Sequence, residues 1–141
     1  MNANPYLDST LLARLNKVRE DVNSLGYTKP YTDFKDFLWN TCNCCVNPEI
    51  VFAVWMPDAW HWCLEVAESP AGWCYGITYD TGGFDPSFGN PRTHNWGLHS
   101  RAAAIAQGLA HLEKVVKSSK YRQQVRRANV WFHSSLQPTI F

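Results

Sequence analysis

The sequence predicts an α+β domain built on an antiparallel meander, and three observations carry that reading. Five of the seven tryptophans fall between Trp55 and Trp96. Inside that segment a reversal at Ser69-Pro70-Ala71-Gly72 opposes Trp62 to Tyr79, Leu64 to Ile77 and Val66 to Tyr75, which sorts large apolar side chains onto one face of a hairpin. On both sides of the segment the apolar spacing changes from two to three-and-four, the period of amphipathic helices. The expected order is α-α-β-β-β-loop-α-α: three to four strands packed with two N-terminal and two C-terminal helices, in a single domain over residues 1–141.

The first helix is expected over 8–25. Leu11, Leu12, Leu15, Val18, Val22 and Leu25 recur on one stripe, Asp8 or Ser9 can cap its start, and Gly26 suits the left-handed position after its end. A loop through Pro30 leads to Thr32, which can cap a second, shorter helix burying Phe34, Phe37 and Leu38 and ending near Asn43, before Pro48. Glu49 to Met56 is an apolar run rich in β-branched and aromatic residues and reads as a strand covered on both faces. Pro57-Asp58-Ala59 turns the chain into the hairpin strands Trp60 to Glu68 and Trp73 to Asp80. Ile50, Phe52 and Val54 are expected to join Trp62, Leu64 and Val66 on the face that helices cover.

Residues 81–98 hold four glycines and two prolines without a helical or strand period. So long an irregular stretch is often functional, and it has room for a short fourth strand. Ser100 can cap a third helix, whose stripe is Ile105, Leu109, Leu112 and Val116, with Ala102 and Ala106 small enough for close approach to the sheet. A last helix is expected over 119–134, with Tyr121, Val125, Ala128 and Phe132 inward and Arg122, Arg126 and Arg127 largely outward.

Bulk composition narrows the function classes. At 45% apolar, 14% aromatic and 18% charged residues, the chain of 141 is globular material. It has neither the pattern of a signal peptide nor the roughly 18 consecutive apolar residues of a membrane span. Five cysteines form no secreted framework, so free thiols and a cytoplasmic location are expected. The net charge of +1 hides a split. Residues 1–100 carry 6 Lys+Arg against 11 Asp+Glu, whereas 101–141 carry 7 against only Glu113. Opposite charge on two parts of a small aromatic-rich domain also allows head-to-tail self-association.

Four groupings of residues bear on chemistry. Cys42-x-Cys44-Cys45 lacks the paired spacing of a zinc site, and no metal or other cofactor is expected. The second hairpin face sets His61 opposite Asp80, Cys63 opposite Thr78 and Glu65 opposite Gly76. His61 and Cys63 are therefore candidates for a base and a nucleophile, on a face that alternation makes solvated or partner-facing. Arg92, His94, Trp96, His99, Ser100 and Arg101 surround the start of the third helix, where unpaired N–H groups and two arginines suit a phosphate or carboxylate and an aromatic ring can stack. Finally, Lys117, Lys120, Arg122, Arg126 and Arg127, with Lys114, form a basic C-terminal region suited to a polyanion.

The expected function is that of a small, non-catalytic cytosolic binding protein of accessory, adaptor or inhibitor type. It would recognise a protein partner or a nucleotide-like anion at 92–101. The first alternative is nucleic-acid binding through the C-terminal helices. The second is a small hydrolase or transferase using His61, Cys63 or His94.

Overall fold

Opposite directions of β4 side chains set the architecture. Trp62, Leu64 and Val66 alternate with His61, Cys63, Glu65 and Ala67, and every one of these side chains is buried. The structure, a computed structural model, describes residues 3–24, 32–41, 43–55, 61–80, 97–116 and 119–136. Its elements run α1 (Ser9–Ser24), β1 (Thr32–Phe34), β2 (Phe37–Trp39), β3 (Glu49–Trp55), β4 (His61–Ser69), β5 (Gly72–Asp80), α2 (Arg101–Val115) and α3 (Ser119–Leu136). Strands β3-β4-β5 form one antiparallel sheet and β1-β2 a second, two-stranded one. The mixed helix-and-sheet class is as the sequence predicts, with three strands in the main sheet and three helices among the described residues.

The hairpin has the register read from the sequence: Trp62 pairs with Tyr79, Leu64 with Ile77 and Val66 with Tyr75. Ser69 closes the turn, its hydroxyl donating to the Gly72 carbonyl at 3.0 Å and accepting from the Ala71 amide at 3.2 Å. Gly72 sits at φ +128°, where a side chain is strained.

β3 departs from the expected facing. Its register shifts between Ile50 and Phe52, a β-bulge that opposes an extra residue to β4. Phe52 and Val54 stay on the Trp62 face. Ile50 instead pairs with Glu65 and clusters with Leu11 and Ala53, while Val51 enters the main core. Simple alternation could not reveal this, because one inserted residue inverts the facing of everything beyond it. The outer edge of β3 is met by the N-terminal segment, through Asp8 N to Ala53 O (2.8 Å) and Ala53 N to Tyr6 O (2.9 Å). Asp8, not Ser9, caps α1, accepting from the Leu11 amide at 2.8 Å.

The expected second helix is a β-hairpin. Lys35 (φ 51°) and Asp36 (φ 72°) are both left-handed, the requirement of a two-residue type I′ connection, and Asp33 accepts the Asp36 amide at 3.1 Å. The spacing of Phe34, Phe37 and Leu38 suits a helix as well. Two features favour the hairpin: a stretch this short has little to offset helix nucleation, and the hairpin seals Phe34, Phe37 and Trp39 over Cys45, Ala67 and Cys74. Trp39 also donates its indole N–H to the Glu68 carbonyl at 3.1 Å.

The main core lies between the Trp62 face and the pair α2–α3. Phe52 is its aromatic centre, with ring centroids 5.9 Å from Trp62, 6.3 Å from Trp131 and 6.5 Å from Phe132. α2 begins at Ser100, whose hydroxyl accepts from the Ala103 amide at 3.0 Å. Ala104 and Gly108 are the small residues buried on its inner side, while the expected Ala102 and Ala106 are half-buried and pack against the same core. A Cβ on Gly108 would fall well inside van der Waals contact distance of the buried Leu64 Cδ1. Gly108→Ala is therefore expected to lower stability by about 1–2 kcal/mol on a denaturant curve, overpacking outweighing the ~1 kcal/mol gain in helix propensity. The opposite sheet face is covered by α1 and by the β1–β2 hairpin.

The expected Gly26 cap, the 57–59 turn and the 81–96 loop, with any strand in it, lie outside the described residues. No helix among the described residues is long and apolar enough to cross a membrane.

Candidate functional site

The second hairpin face is interior, which corrects the expectation of a solvated surface. His61, Cys63 and Glu65 are each 1% exposed. Burial pushes the Cys63 thiol far above its ordinary range, and the nearby Glu65 carboxylate pushes it further in the same direction. Burial likewise raises Cys45 and Cys74 to about 12. A thiol held protonated and shielded from solvent is a packing group rather than a nucleophile. His61 packs edge-on to Trp55 at 6.1 Å, and the Arg14 guanidinium lies 5.3 Å over the Trp55 ring. The face is covered because α1 and the β1–β2 hairpin each bring apolar side chains that need burial.

Glu65 is the charged centre of this layer. Arg19 reaches from α1 to form an ion pair with it. Burial raises the carboxyl to about 7, against the opposing pull of the Arg19 cation. Among the described residues, Glu65 Oε2 and Arg19 Nη1 are buried without a hydrogen-bond partner. A cleft of about 340 Å³ lies over Arg19, lined also by Asn16, Glu20, Val46, Asn47 and Pro48. Sequence reasoning missed this pair, although a signal exists: Arg19 follows Leu15 by four and Leu11 by eight, on the buried stripe of α1.

At the start of α2 the anion-binding expectation meets groups already engaged. Arg101 holds Glu49 through two hydrogen bonds, Nε to Oε1 at 2.9 Å and Nη2 to Oε2 at 2.5 Å. Ser100 is occupied in capping, and the His99 position is exposed. Arg92, His94 and Trp96 lie outside the described residues, as does Lys117 of the basic region.

The α2–α3 pair brings the remaining cations together around an open concavity. A cleft of about 490 Å³ is lined by Ala110, Glu113, Lys114, Arg122 and Arg126. Arg122 does not point away as expected. Its Nε and Nη2 both donate to the Val116 carbonyl, at 3.1 and 2.9 Å, at the C-cap of α2. A cation there satisfies a terminal carbonyl and complements the negative end of the helix dipole. Arg126 donates to Glu113 across the cleft at 2.5 Å, with the arginine side chain 60% exposed. Lys114, Lys120 and Arg127 are exposed, and Lys120 lies 5.7 Å over the Tyr121 ring. Lys114 and Arg127 make no ion pair among the described residues. Nor, among those residues, do three His, Cys, Asp or Glu side chains converge to hold a metal ion.

No protein family, curated protein or solved structure matches the chain.

Proposed function

We propose that this chain is a non-catalytic binding protein for a phosphate-bearing, nucleotide-like ligand, and that the binding surface is the α2–α3 helix pair. The observation that carries the reading is the concentration of exposed cations on those helices around an open cleft with, among the described lining residues, one carboxylate, Glu113. Such a surface concentrates anions, and the fixed helix pair limits the reorganisation that binding costs. The start of α2 is the weaker place for the ligand, because Arg101 is the one Lys or Arg among the described residues there and Glu49 holds it through two hydrogen bonds, whereas the α2–α3 cleft gathers three cations around Glu113. The burial of His61 and Cys63 favours binding over turnover.

A nucleic-acid strand is the second reading. It is favoured by Lys120 and Arg127, exposed cations that do not line the cleft and lengthen the basic surface along α3. Titration with a mononucleotide and with a labelled single-stranded oligonucleotide, followed by melting temperature and by anisotropy, separates the two. The ligand-binding reading expects the mononucleotide to raise the melting temperature at low salt. The second expects oligonucleotide binding that weakens by orders of magnitude from about 50 to 200 mM salt. If the melting temperature and the anisotropy both stay flat at low salt, anion recognition is ruled out.

A further inference from the structure

The α2–α3 cleft has a feature that general basicity does not explain: the one carboxylate among its described lining residues is fastened to the more exposed of its two arginines. We propose that this cleft is a seat for one phosphate group, held by Lys114, Arg122 and Arg126, and that Glu113 is an internal stand-in that the phosphate displaces from Arg126. The proposal rests on the anion-recognition reading above and narrows it to a site and a ligand chemistry.

Charge and geometry agree on this class of ligand. Among the described residues, three cationic side chains and one carboxylate line the concavity, a formal charge of +2 for that lining. A phosphate monoester carries close to two negative charges at neutral pH and offers three acceptor oxygens. Arginine forks and a lysine point charge are the groups that bind such an oxygen cluster. The volume, about 490 Å³, exceeds the need of a bare phosphate and lies in the range of small-molecule sites, so the ester's organic part has room. Arg122 is anchored by its two bonds to the Val116 carbonyl, which fixes one side of the cleft before any ligand arrives. Arg126 is the movable member. Its partner Glu113 is only 28% exposed while Arg126 itself is 60% exposed, so the arginine can turn from carboxylate to phosphate without disturbing the core. The exchange replaces one charge-assisted contact by another and breaks no covalent bond.

The variants distinguish this seat from diffuse electrostatics. Inorganic phosphate and adenosine monophosphate are titrated by calorimetry into wild type, R126Q, E113Q and D21N at low ionic strength. Amide chemical shifts report where each binds. Asp21 lies on α1, across the sheet, paired with Lys17, so D21N makes the same change in net charge far from the cleft. The expected result is shifts confined to the cleft-lining turns of α2 and α3, with R126Q weakening both ligands roughly tenfold through loss of a charge-assisted contact. E113Q should tighten both roughly threefold, the worth of an exposed ion pair no longer competing. D21N should leave them unchanged. Arg126 is exposed, so R126Q should melt like wild type, and a matching melting curve makes its affinity interpretable.

Phosphate binding that is indifferent to R126Q, or equal tightening by E113Q and D21N, overturns the seat. If an oligonucleotide binds while phosphate and the mononucleotide do not, the seat is overturned and anion recognition by the helix pair survives. If none of the three binds, both fall.

Discussion

Arg19→Leu is expected to destabilise the protein by about 3–5 kcal/mol near pH 8 and by far less near pH 5, because it strands a buried carboxylate that protonation can relieve. Glu65 is fully enclosed, and Arg19 is its ion-pair partner. Burial holds the carboxyl at about 7, above its unfolded value. The folded state therefore keeps a proton through a pH range in which the unfolded chain has released it. By linkage, this group's contribution to stability is complete below the unfolded value near 4.3, falls as pH rises toward 7, and is flat above that. The difference amounts to roughly 4 kcal/mol at 1.36 kcal/mol per pH unit. Without Arg19 the folded value rises further, which extends the loss upward in pH. Chemical denaturation of wild type, Arg19→Leu and Glu65→Gln at several pH values between about 5 and 8 checks this. Stability of wild type relative to Glu65→Gln should fall across that window. A constant difference between the two would show that Glu65 stays ionised throughout and that Arg19 fully compensates its burial.

Trp62→Ala should cost about 3–5 kcal/mol, the usual range for removing a large buried aromatic, and a large share of the 5–15 kcal/mol typical of a domain. Trp62 is 0% exposed and packs against Phe52, which in turn touches Trp131 and Phe132 of α3. The loss is thus felt in the contact between sheet and helices. Trp62→Phe is the informative companion. Among the described residues the Trp62 indole N–H is buried without an acceptor, so phenylalanine removes a desolvated donor together with some volume. It should cost under half as much as alanine on the same urea curve. Equal losses for the two would mean that a phenyl ring recovers nothing and that the site depends on the indole itself.

The legible parts of the fold are those where neighbours in sequence do the packing. Hairpin β4–β5 closes over two residues, so cross-strand pairs such as Trp62 with Tyr79 follow from counting back from the turn. The cap of α2 at Ser100 and the stripe Ile105, Leu109 and Leu112 are equally local. Residues 32–39 form a hairpin where a helix is expected because the two share their apolar spacing there. Two residues in left-handed conformation decide between them, and neither Lys35 nor Asp36 advertises that conformation as glycine would. The candidate site was legible in part. The basic run was visible as composition, but the turning of Arg122 toward Val116 and of Arg126 toward Glu113 depends on the angle at which α3 returns along α2.

From its residues alone, this chain determined an α+β class, a Trp-bearing hairpin in one register and a cationic C-terminal end. Each follows from interactions a few residues apart, where spacing fixes what can meet. Tertiary structure decided which face of that hairpin sees water. Both faces of its β4 strand are buried, because α1 and the β1–β2 hairpin had apolar side chains of their own to cover and the free face of the sheet was available to them. That choice placed His61 and Cys63 in the core, drew Arg19 down to Glu65, and left the outer surface of α2 and α3 as a place where cations gather in solvent.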